Sequence, residues 1–384
     1  MSISFSSVQA GAISPGQFAL FRITLGTVLA ARWVWLGASG AEYFKGGWAV
    51  AGTMIALSAG LAAGLWRRGV AIGLFAGSVG LLVGRWGLLW PWDLAVPGLL
   101  AACVFVPEGE PLSMTGARSR RPGAWCFPAP IFWGAWGLLG ISYVMKGVAA
   151  FFADRIGDDA GRSYLIDAFV AWSPGLAGPI AIIETAGLLV FLPLVFWART
   201  RPVVWTLMLV LQLVAVGLTG FEGPAFGLVL LHLFTFDPDW LPARSDARRP
   251  VLLYDGECGL CNAVVRFLLR EDAGGRMRFA PLQGAPAQAY LRAAGLPTED
   301  FDSLVFAPDW ERPAAGAPRL RTDGALAAAD EIGGVWRVIS WLRVLPAALR
   351  DPFYKIIARF RYALFGEYRP TPLPEPEWAR RFLG

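Results

Sequence analysis

Histidine and cysteine are scarce in this sequence: one His and four Cys among 384 residues argue against a metal centre rich in those ligands. Charge is thin as well. Charged residues make up 16% of the chain, against roughly 25% in an average soluble domain, which excludes an ordinary soluble protein over the full length. The net charge of +5 comes from arginines interleaved with aspartates and glutamates, so no nucleic-acid partner is expected. Residues 1–5 have neither the basic n-region nor the small-residue cleavage site of a secretory signal, so the first apolar run is expected to persist as a membrane helix.

What the sequence has instead is apolar mass, with 55% hydrophobic residues and a mean hydropathy of +0.49. The long runs lie in residues 1–241, and a bilayer is their natural solvent. A hydrocarbon core about 30 Å thick needs about 20 residues of helix. Eight segments meet or approach that length: 18–36, 47–65, 70–90, 94–106, 131–152, 175–197, 203–221 and 225–241. The fourth is short enough to be re-entrant or tilted. The expected fold class is a membrane all-α helical bundle of about eight spans in residues 1–241, followed by a linker at 242–250, an α/β domain at 251–369 and a Pro-rich tail at 370–384.

Eight spans put both termini on one side. The connections on that side hold Arg67, Arg68, Arg118, Arg120, Arg121, Arg199, Arg201, Arg244, Arg248 and Arg249, against Lys45, Arg85, Arg155 and Arg162 on the other. The positive-inside rule then predicts a multi-pass protein of a bacterial inner membrane with its C-terminal domain in the cytoplasm.

Beyond residue 250 the hydrophobic period changes. Strands are expected at 251–254, 277–280, 303–307 and 319–321, and helices at 260–269, 287–294, 325–332, 335–342 and 352–365. That alternation predicts a small α/β domain.

Between the first of these strands and its helix lies Asp255-Gly256-Glu257-Cys258-Gly259-Leu260-Cys261. Exposed N–H groups and the dipole at a helix start favour an anion, so a thiolate at Cys258 would be stabilised there and made reactive. Cys261, one turn further in, is placed to close a disulfide on it. Cysteines at this spacing also bind structural zinc, but the other candidate ligands, Cys103, Cys126 and His232, sit in or beside apolar spans. The strand-to-helix context favours redox chemistry. Asp255 and Glu257 add negative charge, which opposes the dipole. Asp255 has two readings, as a proton acceptor for Cys261 or as a cap or turn residue.

Leu253-Tyr254-Asp255-Gly256-Glu257-Cys258-Gly259-Leu260-Cys261-Asn262, Phe279-Ala280-Pro281-Leu282-Gln283 and Arg350-Asp351-Pro352-Phe353-Tyr354 together resemble the DCC family of thiol–disulfide oxidoreductases. Asp255, Cys258 and Cys261 match the Asp-x-x-Cys-x-x-Cys signature that names it, and the resemblance covers roughly residues 251–366, including the helix with Arg361 and Tyr362. It implies a thioredoxin-like fold and thiol–disulfide exchange, without defining a substrate. Unlike ordinary thioredoxins, this chain has no proline immediately before the third strand at Ser303, where such proteins place a cis-proline facing the disulfide.

Ionisable residues inside spans are costly, which makes Arg22, Arg32, Arg85, Lys146, Glu184 and His232 candidates for function. Arg22, Glu184 and His232 are the candidate binding residues of a polar cavity, with Arg22 able to neutralise Glu184. Structural ion pairs or side chains reaching the interface are the plainer alternative. Residues 19–26, 107–113 and 231–240 resemble the HTTM domain, the transmembrane domain related to vitamin K-dependent gamma-carboxylases. Tyr143 and Gly147 fit the carboxylase-like pattern, but Lys146 is shifted and Ala150 stands where a Lys is expected. The luminal carboxylase domain is also missing. Carboxylase activity is therefore not implied, whereas a lipid-soluble, quinone-like ligand is compatible with the resemblance.

The function expected from these readings is a membrane-anchored thiol–disulfide oxidoreductase with no required cofactor or metal, Cys258 as nucleophile, Cys261 as resolving thiol and a disulfide or dithiol as partner. Cys126 could act as a relay thiol or be an ordinary interfacial cysteine. The alternatives are a non-catalytic membrane redox sensor or binding protein, and a transporter.

Overall fold

The computed structural model describes residues 13–39, 47–84, 89–115, 125–151, 177–219, 224–299, 303–312, 316–368 and 376–383. The chain divides into two compact units: a first within residues 17–236, and a second of residues 237–384 joined by a short N-terminal stretch that includes Ser14 and Gly16.

Among the described residues the first unit holds eight α-helices: α1 (Pro15–Ser39), α2 (Gly47–Ala63), α3 (Arg67–Gly84), α4 (Ala95–Phe105), α5 (Ala129–Phe151), α6 (Ala177–Val195), α7 (Arg201–Thr219) and α8 (Pro224–Phe234). Each apolar segment of the sequence supplies one of them. Two are long and apolar enough to cross a membrane, Pro15–Ser39 and Ala129–Ala149. The others are shorter apolar stretches. At 1.5 Å per residue, a helix as short as α4 rises about 17 Å, roughly half of a hydrocarbon core. The number of helices thus agrees with eight segments, while eight full spans do not follow from their lengths. The segment 225–241 is helical only to Phe234, because Asp237 accepts from the Asp239 amide and starts a separate 3₁₀ turn at Pro238–Trp240. Lys45, Arg85, Arg118, Arg120, Arg121, Arg155 and Arg162, used above for orientation, lie outside the described residues.

The second unit is built on a four-stranded mixed sheet of β1 (Val251–Tyr254), β2 (Arg278–Pro281), β3 (Val305–Ala307) and β4 (Arg319–Leu320), in the order β2-β1-β3-β4. β1 and β2 are parallel, joined through α9 (Gly259–Glu271); β3 runs antiparallel to both β1 and β4. The helices α10 (Ala285–Ala293), α11 (Arg321–Ile332), α12 (Gly334–Ser340) and α13 (Ala347–Phe365) complete it. Because strand side chains alternate, Leu252, Phe279 and Phe306 enter one core with Val265 and Leu268 of α9 and Ala327 of α11. Val251, Ala280 and Val305 enter the other, with Ala287 and Leu291 of α10. Helices thus cover both faces of the sheet, which is why the central strands β1 and β3 read as unbroken apolar runs.

Residues 242–250 form no regular element, but they are not loose. Arg244 pairs with Asp330 at 2.6 Å, and Arg248 and Arg276 reach Glu331 at 3.4 and 3.2 Å. The end of the chain differs from a tail. Residues Pro376–Arg381 form a 3₁₀ helix, Trp378 is buried in the core, and Phe382 pairs with Phe279 along β2. An indole and a phenyl ring with apolar surface to bury outweigh the breaking effect of the preceding prolines.

Candidate functional site

β1 ends at Tyr254, and the chain turns through Asp255, Gly256 and Glu257 into α9. Cys258 is the capping residue of that helix (φ −83°, ψ 125°), and Cys261 lies in its first turn. Both are free thiols; Cys258 is wholly buried and Cys261 partly exposed. The two lie three residues apart, on either side of the helix start. Burial, then the neighbouring Cys258 and Asp255, push the Cys261 thiol up to about 12, against an opposing pull from Arg361. Cys261 therefore keeps its proton at neutral pH.

The chain just after α13 straps across the backbone at Cys258. Glu367 pairs with Cys258 as an isolated antiparallel bridge. The Gly259 amide donates to the Gly366 carbonyl at 3.1 Å, and the Tyr368 amide donates to the Glu257 carbonyl at 2.7 Å. Arg266 of α9 secures the strap by donating to the Tyr368 hydroxyl at 2.8 Å. Two glycines permit this approach. Gly366 ends α13 at φ +66°, where L side chains are strained, and a Cβ on Gly259 would lie 2.5 Å from the Phe365 carbonyl oxygen.

Asp255 organises the turn. Its Oδ1 accepts from the Glu257 amide at 3.1 Å and from Gln283 Nε2 at 2.9 Å; its Oδ2 accepts from the Tyr362 hydroxyl at 2.6 Å and from Arg361 at 3.2 Å. Burial alone would raise this carboxyl, but the bonds from Tyr362, Gln283, Glu257 and Arg361 together hold it below the usual carboxylate range. Gln283 also accepts from the Gly256 amide, and Asn262 Nδ2 donates to the carbonyls of Gly256 and Cys258. Asn262, Gln283, Arg361 and Tyr362 were not identified as site residues from the sequence. Each nonetheless falls inside a segment that carries the family resemblance, and that was the available signal.

In the first unit the candidate residues have separate partners. Arg22 is fully buried and donates to the carbonyls of Leu61 at 2.5 Å, Ala62 at 2.6 Å and Leu112 at 2.7 Å; its Nε lies 3.5 Å from Glu110 Oε1. Arg67 meets the same carboxylate at 3.1 Å and donates to the carbonyls of Cys103, Val106 and Pro107. The two guanidiniums thus close the carbonyl ends of α2 and α4, which would otherwise be unsatisfied in an apolar setting. The carboxylate beside Arg22 is Glu110; the side chain of Glu184 lies outside the described residues. His232 is buried with its Nε2 2.7 Å from the Tyr143 hydroxyl, flanked edge-on by Trp205 at 5.2 Å, while Phe191 packs on Tyr143 at 4.5 Å. Cys103 is buried and Cys126 exposed, both as free thiols.

A strand, a turn ending in one thiol and a helix carrying a second thus lie together on a mixed sheet. The family model described as DCC1-like thiol-disulfide oxidoreductase matches residues 252–367. An uncharacterized protein of Bacillus subtilis (strain 168), YuxK, is 37% identical over 133 residues, which are 35% of this chain and 93% of that protein. A chloroplastic DCC family protein of Arabidopsis thaliana is 28% identical over 133 residues, 33% of this chain and 74% of its own length. No solved structure matches. Through its C-terminal unit the chain belongs to the DCC1-like thiol-disulfide oxidoreductase family.

Proposed function

We propose that this protein is a membrane-anchored thiol–disulfide oxidoreductase whose exchanging pair is Cys258 and Cys261. The observation that carries this reading is Cys258 at the head of α9 with Cys261 in the first turn of the same helix. The Cys258 thiolate attacks one sulfur of a partner disulfide; a mixed disulfide forms and the partner's other sulfur leaves and takes up a proton. Cys261 then gives up its proton and attacks the Cys258 sulfur, releasing the second partner thiol. Two electrons pass to the partner and the Cys258–Cys261 disulfide remains; a dithiol partner drives the reverse. Asp255 acts by positioning the turn, because a carboxyl held below the usual range is a poor acceptor for a proton bound at about 12. The strand order β2-β1-β3-β4 with the motif at the first strand-to-helix turn supports a thioredoxin-like fold.

For the first unit, the reading is a multi-pass HTTM-like bundle with the C-terminal domain in the cytoplasm. The lengths of α1 and α5 support membrane insertion, as does the row of exposed apolar residues on α7, Val203, Leu207, Val210 and Val214. The Arg22–Glu110 pair supports the HTTM likeness by linking two of the segments that carry it. Of the buried polar residues in this unit, Tyr143 and His232 are those that would hold a quinone-like ligand. His232 Nδ1 is buried there without a hydrogen-bond partner, an orphaned polar atom that a ligand could satisfy. Such a group supplies two-electron redox chemistry when bound.

Turnover of a protein disulfide that vanishes in Cys258→Ser, together with a mixed disulfide trapped by Cys261→Ser, tests the exchange. The complete burial of Cys258 favours one second reading, a redox sensor that forms its disulfide reversibly without turning over a partner. Reversible oxidation with no turnover would select it. Maleimide labelling of Cys261 in sealed vesicles of known orientation tests the topology, and labelling from the outer side would overturn the cytoplasmic placement.

A further inference from the structure

Helix α13 is amphipathic in the reverse of the usual sense. Its inward side is polar: Arg350 donates to Thr322 and Asp323, Tyr354 accepts from the Leu304 amide, and Arg361 meets Asp255. Its outward side carries Leu349, Phe353, Ile356, Ile357 and Phe360, spaced as one helical face and each at least half exposed, with Phe353 at 72%. The turn before it adds Val344 at 87%. A soluble domain does not leave such a face in water without a partner.

Charge indicates the partner. Residues 334–366 hold Arg337, Arg343, Arg350, Lys355, Arg359 and Arg361 against a single acid, Asp351, an excess of five positive charges and as large as the net charge of the whole chain. Lys355 and Arg359 are exposed on the same helix, Arg359 nearer to the apolar face. A second copy related by a twofold axis would bring like charges together, whereas an anionic lipid leaflet offers both an acyl layer for the apolar face and phosphates for the two cations.

We infer that α13 is a monotopic membrane anchor, lying in the headgroup–acyl boundary of an anionic leaflet with Lys355 and Arg359 at the phosphates. The same helix holds Asp255 through Arg361 and Tyr362, and the chain leaving it pairs with the backbone at Cys258. Lipid engagement and access to the thiols therefore depend on one element. The inference rests on the reading that the chain is a membrane protein, and the test separates the two. The full chain carries p-benzoylphenylalanine in place of Phe353, or in place of Leu207 on α7 as the control, and is irradiated in nanodiscs of phosphatidylcholine with or without phosphatidylglycerol. Lipid adducts at 353 are expected, greater with phosphatidylglycerol and reduced about fivefold or more by Lys355→Glu with Arg359→Glu. Adducts at 353 to protein instead of lipid overturn the anchor, as does lipid captured at 207 but not at 353. Lipid capture at neither position overturns the membrane reading and the anchor together, and capture at 353 that ignores the charge reversal overturns the anionic leaflet.

Discussion

Cys258 and Glu367 face each other as an antiparallel backbone pair, and the cysteine beside this strap is wholly buried. Exchange with a protein disulfide requires the strap to open. Such local openings cost less than global unfolding and set the reactivity of what they cover.

Removing the tie between Arg266 and Tyr368 should therefore expose the thiol. In Tyr368→Ala, a loss of about 1–2 kcal/mol from the closed strap corresponds to alkylation of Cys258 about 5–30 times faster. Mass-spectrometric timing of iodoacetamide uptake at Cys258 measures it, and an unchanged rate would show that the strap does not limit access.

Cys261 should behave as a thiol that resists ionisation. Its alkylation rate in the reduced protein is expected to keep climbing beyond pH 9, toward a midpoint at about 12. A plateau centred near the ordinary cysteine value of about 8.5 would contradict the burial assigned to it.

Asp255→Asn should destabilise the second unit by about 1–3 kcal/mol, because donors from Tyr362 and Arg361 lose a charged acceptor. The sign of its pH dependence follows from the lowered pKa. Folding favours the ionised carboxylate, so its contribution is fully present above the unfolded value of about 3.9 and drains away as pH falls through the lower folded value. Thermal unfolding of both proteins should show a gap at pH 7 that narrows below about pH 4; a gap that widens in acid would reverse the assignment.

In Gly259→Ala the new methyl would meet the Phe365 carbonyl at 2.5 Å. Either the strap moves away or α9 shifts, at a cost of about 1–3 kcal/mol. Faster alkylation of Cys258 together with a lower Tm is expected; full stability with Cys258 still sealed would mean that the contact is not close.

Local chemistry made much of the second unit legible. Val251–Tyr254 forms the strand expected of it because an apolar run is bounded by Pro250 and by Asp255-Gly256, and the helix at 260–269 is observed as Gly259–Glu271. α13 begins earlier than its expected start at Pro352. Pro352 lies inside the helix, where it removes one amide without ending the turn. The apolar segments of the first unit all became helices, yet pattern alone could not give their lengths. What the sequence hid is pairing over long separations: Glu367 with Cys258, Arg22 with Glu110, and Arg361 and Tyr362 with Asp255. No local period records which distant segment supplies a partner, so these contacts emerge only once the sheet and its helices are assembled.

β2 stands at the margin of the sheet, and the last described residues run alongside it, with the Leu383 amide bonded to the Phe279 carbonyl at 2.8 Å. The opposite margin, β4, is only two residues long. Both borders are thus withheld from edge-to-edge association, one by occupation and the other by brevity. Trimming the chain before Trp378 would open an adhesive rim, and the foreseeable fate of such a truncated protein is clumping during overexpression.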